Sequence, residues 1–476
     1  MSRITRSNTY HIQKNEITIR GYELLNFSNA KTSENFLRPD MYKIINENEE
    51  LDMNYFREET CNVPVLFLCS RLKLGIQCSE INYENFEIIE SNLPRNFMCS
   101  VIIDNKPGTK EMVLSEVLEN MKIEYSKRKH IYNCLSLNYT FMALEDVFTC
   151  PNFVIEMNLA INNWPDVLKI AQICCDKDKE IIFPMTWNYC TVSTKGLYTN
   201  FHIDFGNNSV WISVISGKKT WWYIPSAKYI IAAFEQYLKD SCSSKDFFGF
   251  CAANCCKITL TARQSFFLLA GWIHAVYTNK DTLMVGGNFL TSAALETHLQ
   301  IVESEQRQKA EVAYTYVYFK KLMWYTVADI VYNVTGLEYI NYKVLKITNM
   351  LKCVSVIFFI NKMKKKLNLV KRYLKNKNIK NELINGSYFK KNTSNHVTYE
   401  TAVKHNNISK WTFKKAKSHK SLLDFIKKHR KLMDKNLPVG IINCDQMIKD
   451  FERIIIFAFK EIFKLNGESV YPSTIS

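Results

Sequence analysis

Two short segments, Tyr198-Thr-Asn-Phe-His-Ile-Asp-Phe205 and Gly271-Trp-Ile-His-Ala-Val276, constrain this chain more than any other feature. Alternate side chains of a strand share a face. A strand through the first segment therefore turns His202 and Asp204 to one side and Ile203 to the other. His274 follows 70 residues after Asp204, so a second strand has to bring it close. It sits in the apolar run Ser265–Tyr277, broken at Gly271, which reads as two short strands with a bend. His-x-Asp with a distant His is the pattern of a site in which two imidazoles and one carboxylate hold Fe(II) on one face and leave other positions open. A neutral imidazole nitrogen is a competent ligand at pH 7. His-x-Asp also arises by chance, and a lone histidine is equally at home in a core or on a surface. The residues alone leave both readings standing.

Between the two segments, Val210–Ile215, Ser216-Gly217 and Lys218–Ile224 read as a β-hairpin closing at Ser-Gly and ended by Pro225. Lys219 falls on its second strand. If that lysine is aimed into an interior it requires an anion, because an unpaired buried ammonium is costly. The terminal carboxylate of 2-oxoglutarate is one candidate, with a hydroxyl from Thr199 beside it. A solvated hairpin lysine is the plainer alternative.

The stretches Tyr198–Ile224, Phe247-Phe-Gly249, Gly271–Val276 and Gly286-Gly-Asn-Phe-Leu290 closely resemble the JmjC-domain histone lysine demethylases. They look most like the branch whose members carry a PHD finger, or an F-box with a CXXC zinc module. Met53–Leu66 and Asn133–Leu137 upstream, and Ser292–Lys309 downstream, extend the resemblance to residues 50–310. It implies an α+β fold: a double-stranded β-helix (the jelly-roll, cupin-like JmjC barrel) with flanking helices and a mainly helical, basic C-terminal region. It implies that His202, Asp204 and His274 ligate Fe(II). It implies that Thr199 and Lys219 hold the far carboxylate of 2-oxoglutarate, with Asn133 as a further contact. The activity implied is a dioxygenase using 2-oxoglutarate and O2. It would demethylate methyl-lysine on a histone tail, H3 foremost, by N-methyl hydroxylation and release of formaldehyde, with a nucleosome as partner and the nucleus as compartment. A protein hydroxylase of the same fold and a non-catalytic chromatin-binding module are the alternatives.

Three departures stand out. Ile212 replaces a tyrosine whose hydroxyl helps bind 2-oxoglutarate in the family, a loss of about 1.5–3 kcal/mol that implies weaker cosubstrate binding. Ser213 replaces a histidine, and Asn207-Asn208 replaces Gly-Thr. These positions are expected near the substrate mouth, which leaves open the lysine and the methylation state.

The chain has 15 cysteines, an odd number with no framework spacing, and its polar N-terminus does not read as a signal peptide. Reduced intracellular thiols are expected, mostly as core fillers. No Cys-x-x-Cys pair occurs, so the zinc modules of the resembling branch are not expected here, and Cys251, Cys255 and Cys256 lack zinc spacing. Residues 343–435 hold 25 lysines and arginines against four acids (Glu382, Glu400, Asp424 and Asp434), a net of +21; the whole chain is +16, so the remainder is −5. Such a run is often only a solvated face. Here its length suits sequence-blind contact with DNA or RNA phosphates and nuclear import. Val354–Ile360 is too short to span a membrane.

The organisation expected is a polar extension over 1–50 and a catalytic unit over 51–305, with lead-in elements at 51–140 and the barrel at 141–305. Helical support follows at 306–360, with an apolar face from Ala310 onwards, then a basic, mainly helical region at 361–476. The last helix is expected over Asp445–Leu465, with Met447, Phe451, Ile454, Ile455, Ala458 and Ile462 on one apolar face.

Overall fold

The computed structural model describes residues 27–57, 61–76, 86–94, 96–106, 108–174, 183–240, 247–252, 254–310, 315–316, 318–345, 408 and 411–465. The chain divides into two compact units, Met1–Asn158 with Met185–Tyr316, and Leu159–Pro184 with Val317–Ser476.

The first unit is built on one mixed sheet. Its strands are β1 (Lys43–Ile45), β2 (Val65–Phe67), β3 (Met98–Ile103), β4 (Lys110–Val113), β5 (Tyr132–Asn138) and β6 (Tyr189–Ser193). They continue with β7 (Tyr198–His202), β8 (Ser209–Ile224), β9 (Cys256–Thr261), β10 (Ser265–Leu268) and β11 (Ile273–Phe289). The order is β1-β2-β10-β8-β11-β6-β5-β3-β4, with β7 on β11 and β9 on β8. Every pairing is antiparallel except β1 with β2. The strands expected upstream and those carrying the histidines thus share one sheet.

The expected hairpin at Ser216-Gly217 does not form. Residues 209–224 make a single 16-residue strand that pairs with β11 along its length, with β10 through its first half and with β9 through its second. Gly217 has φ +93°, and a Cβ there would come within 2.1 Å of the Asp281 carbonyl oxygen. Its φ is absorbed by register slips against Lys280–Met284 instead of closing a turn. The break expected at Gly271 is present, separating β10 from β11, with Gly271 at φ +81°.

Alternation along β8 sorts its side chains onto two apolar clusters. Val210, Ile212, Val214, Trp221 and Tyr223 join Leu260, Phe266 and Trp272. Trp222 and Ile224 join Phe27, Phe201, Phe247, Ile273 and residues of helix α1 (Lys228–Asp240) in the other. Helix α2 (Leu295–Arg307) follows the sheet and buries Leu295, Leu299, Ile301 and Val302.

The second unit is helical in its described residues: α3 (Phe319–Thr335), α4 (Phe413–Lys428) and α5 (Cys444–Leu465) are its longest elements. Helix α5 matches the expected bounds within one residue. Met447, Phe451, Ile454, Ile455 and Ala458 are buried, while Ile462 is half-buried where the stripe runs out. Helix α3 starts at Phe319, directly after Tyr318 at φ +64°; residues 311–314 and 317 of the expected apolar face lie outside the described residues. Trp324 Nε1 donates to the Met433 carbonyl (2.9 Å), and Tyr325 Oη to that of Val439 (3.0 Å). Among the described residues no helix is long and apolar enough to cross a membrane. Val354–Ile360, Lys362–Lys366 and Lys371-Arg372 lie outside the described residues.

Candidate metal centre

Strand β7 ends at His202 and pairs with β11 so that His202 stands directly opposite His274. Their rings lie 4.2 Å apart, centroid to centroid. Asp204 sits just past the strand, at the start of a short turn containing Gly206 at φ +61°. Glu305 of α2 holds that turn, accepting a hydrogen bond from Gly206 N (2.7 Å). His202, Asp204 and His274 are all buried, and one ligand atom from each falls within 4.8 Å of the others. The His202 Nε2 to Asp204 Oδ1 distance is 3.9 Å.

The tautomers follow from the neighbours. His202 Nδ1 lies 2.7 Å from the carbonyl of Asn200, and His274 Nδ1 lies 3.0 Å from that of Trp272. A carbonyl only accepts, so each Nδ1 carries the proton and each Nε2 keeps the lone pair that a metal requires. Asn288 Nδ2 donates to Asp204 Oδ2 (2.9 Å), which fixes the carboxylate. Asn288 is itself clamped by reciprocal bonds with Thr186, N to carbonyl at 2.7 Å and hydroxyl to carbonyl at 2.7 Å. Trp221 stacks on His274 at 5.3 Å with planes 19° apart. Two imidazoles and a carboxylate with this support fit a divalent first-row metal.

Lys219, on the second half of β8, is only 4% exposed. The solvated alternative is thereby excluded. Its Nζ donates to Ser193 Oγ (3.0 Å), and Ser193 Oγ donates to Asn133 Oδ1 (2.7 Å). Burial lowers the lysine to about 7. Thr199 is half-buried on β7, opposite Val276, and is hydrogen-bonded to neither Lys219 nor Asn133. Lys219 and Asn133 thus share Ser193 as a partner, while Thr199 lies on β7 beside the same stretch of β11 that Lys219 pairs with.

Ser213 is fully buried. It faces Ser265 across the β8–β10 pair (Oγ to Oγ 3.0 Å) and accepts from Arg71 Nε (3.1 Å). Asn208 is buried and closes the turn after Asp204 through Nδ2 to the Phe205 carbonyl (2.6 Å). A cleft of about 300 Å³ reaches His202, with Ile203, Phe205, Phe234, Glu235 and Glu305 among its walls. Cys255 and Cys256 are buried and Cys251 exposed; the only ligand cluster among the described residues is His202, Asp204 and His274. Sequence reasoning missed Asn288 and Ser193. Asn288 did lie in the Gly286–Leu290 stretch that carried the resemblance.

No protein-family model matches the chain. It is similar to the JmjC domain-containing histone demethylation protein 1 of Caenorhabditis briggsae, 32% identical over 300 residues, covering 62% of this chain and 28% of that protein. It is similar to mouse lysine-specific demethylase 2B, 30% identical over 329 residues, covering 68% of this chain and 24% of that one. It is also similar to lysine-specific demethylase 7A of Danio rerio, 28% identical over 288 residues, covering 60% and 30%. The chain thus spans less than a third of the length of these curated relatives.

Because Asn288 orients the Asp204 carboxylate of the candidate metal centre, Asn288→Ala is expected to weaken Mn(II) or Co(II) binding by roughly 10- to 100-fold. Calorimetric titration reads this directly. Unchanged affinity would show that Asp204 needs no such support.

Proposed function

We propose, from this similarity to JmjC-domain histone demethylases, that the chain is an Fe(II)- and 2-oxoglutarate-dependent dioxygenase. Its substrate would be methyl-lysine on a histone tail, H3 foremost, in the nucleus. The observation that carries the reading is the buried His202–Asp204–His274 cluster, with both Nε2 atoms turned into ligands by their Nδ1 bonds. The large mixed sheet that holds it is taken as the double-stranded β-helix of that family. The bound iron would supply, with 2-oxoglutarate and O2, the power to hydroxylate an N-methyl group, and the hydroxymethyl amine then releases formaldehyde.

The chain's own residues do the rest. His202, Asp204 and His274 would hold the metal on one face. Lys219 meets the far carboxylate of 2-oxoglutarate, with Thr199 as a hydroxyl donor and Asn133 as a further contact. The cluster around Trp221, Phe266 and Trp272 keeps bulk water from the reacting atoms. A methyl-lysine side chain enters by the cleft beside His202, where Ile203, Phe205 and Phe234 offer apolar surface to its methylene stem. The exposed lysines of α4, among them Lys414, Lys417 and Lys428, contact DNA or RNA phosphates. Part of the local charge is already met within the protein, as Lys427 pairs with Glu452 (2.6 Å) and Lys420 with Asp424 (2.7 Å).

Three outcomes are expected. The 476-residue chain with Fe(II), ascorbate and 2-oxoglutarate, given methylated H3 and H4 peptides, should strip one methyl from a peptide, read by mass; His202→Ala should not. A peptide gaining one oxygen would instead mark a hydroxylase, and no change with cosubstrate bound would sink the enzymatic reading for those peptides.

Lys219 is cationic below about pH 7, so the sign is definite: 2-oxoglutarate binding weakens as pH rises through that value. The loss should approach about ten-fold per pH unit above it, while Lys219→Arg, which stays charged, should flatten the profile. A flat wild-type profile would contradict a role for this ammonium.

For nucleic acid, Lys414→Glu with Lys417→Glu should lower the slope of log K against log salt for duplex DNA by about 2. Equal slopes would remove α4 from the interface.

A further inference from the structure

We infer that Ser193 is a positioning residue of the cosubstrate site: its hydroxyl locks the Asn133 amide with its N–H donors turned to the ligand and docks the Lys219 ammonium beside them. The inference rests on the proposed 2-oxoglutarate site and adds to it a residue and an assigned amide orientation.

Three strands meet in this arrangement. Ser193 of β6 stands directly opposite Asn133 of β5. Lys219 belongs to β8, which is separated from β6 by β11, so its side chain reaches over one strand to the serine. All three residues are buried, at 4% exposure or less.

The donor count decides the geometry. An ammonium only donates, so Ser193 Oγ accepts from Lys219 Nζ. The serine then has one proton to give, and the 2.7 Å separation from Asn133 Oδ1 is the length of an O–H···O bond, shorter than the usual N–H···O. Asn133 Oδ1 is therefore taken up as an acceptor, and the amide nitrogen is left to present its two donors. An amide free to flip would offer an anion its oxygen half the time. With Ser193 in place, the site shows only donors: the ammonium and the amide N–H groups.

Nothing else in the described residues performs this task. Lys219 has no carboxylate partner among them, and the groups opposite it in the sheet, Leu260 on β9 and Thr278 on β11, carry no charge. The serine is thus the one side chain holding the ammonium in place. Removing it releases both ends of the chain of bonds at once.

The test uses Ser193→Ala and Ser193→Thr in the full chain, loaded with Mn(II) in place of iron, and follows 2-oxoglutarate binding by calorimetry from pH 6 to pH 9. Wild type should bind. Ser193→Ala should bind roughly 10-fold more weakly, and its affinity should begin to fall at a lower pH because the ammonium has lost its hydrogen bond. Ser193→Thr should restore both readings, and Mn(II) affinity should be equal in all three. Wild-type affinity and pH profile in Ser193→Ala would overturn the inference. So would a loss of Mn(II) affinity in that variant, which would mark a packing role. Failure of the wild type to bind 2-oxoglutarate with metal present would overturn the functional reading itself, a distinct result.

Discussion

The 17-residue strand β11 pairs with β6, β7 and β8, and the site depends on those three pairings at once. Its pairing with β7 sets His274 against His202. Its pairing with β8 sets Thr278 against Lys219 and Gly286 against Ile212. Its pairing with β6 sets Thr282 against Ser193. A one-residue slip in a strand moves every side chain to the opposite face. The candidate metal ligands and Lys219 are therefore held in register by one element, and the bulges opposite Gly217 take up the mismatch between its two halves.

What the sequence made legible was local. His202 and Asp204 lie within three residues, and the apolar runs around them and around His274 have strand character, so spacing allowed convergence and the family resemblance singled it out. The break at Gly271 and the stripe of α5 were legible for the same reason: each is a short-range pattern with a fixed period. The fate of Ser216-Gly217 was not. Gly at that dipeptide suits a turn or a bulge equally, and only the length of β11 decides for the bulge. Lys219 was ambiguous because its burial depends on which strands cover β8, a property of the sheet order. Ser193 was invisible for a like reason. Its meaning comes from Asn133, 60 residues earlier, and from a lysine two strands away.

Ser213 shows how far a resemblance carries. Its substitution suggested a changed substrate mouth, yet the hydroxyl is fully buried and bonded to Arg71 and Ser265. A small buried polar side chain at this point needs partners, and Ser265 of the neighbouring strand and Arg71 of a turn supply them. The Ser213 hydroxyl is thus satisfied within the protein.

Lys219 gives the strongest physical argument that the site is kept for a ligand. A lysine lowered from 10.5 to about 7 by burial destabilises the free protein at neutral pH by on the order of 4 kcal/mol relative to an exposed one. The sign is that of a depressed cation: the penalty grows as pH falls from 10.5 and levels off below about 7. A single hydroxyl does not offset it, and a methionine of similar length would pack the same space without it. An anion bound against the ammonium would recover the lost solvation. The Ser193 hydroxyl and the Asn133 Oδ1 already satisfy each other, which leaves only the Asn133 N–H donors to be met beside the ammonium. The larger part of the destabilisation therefore sits on the group whose charge the proposed cosubstrate needs.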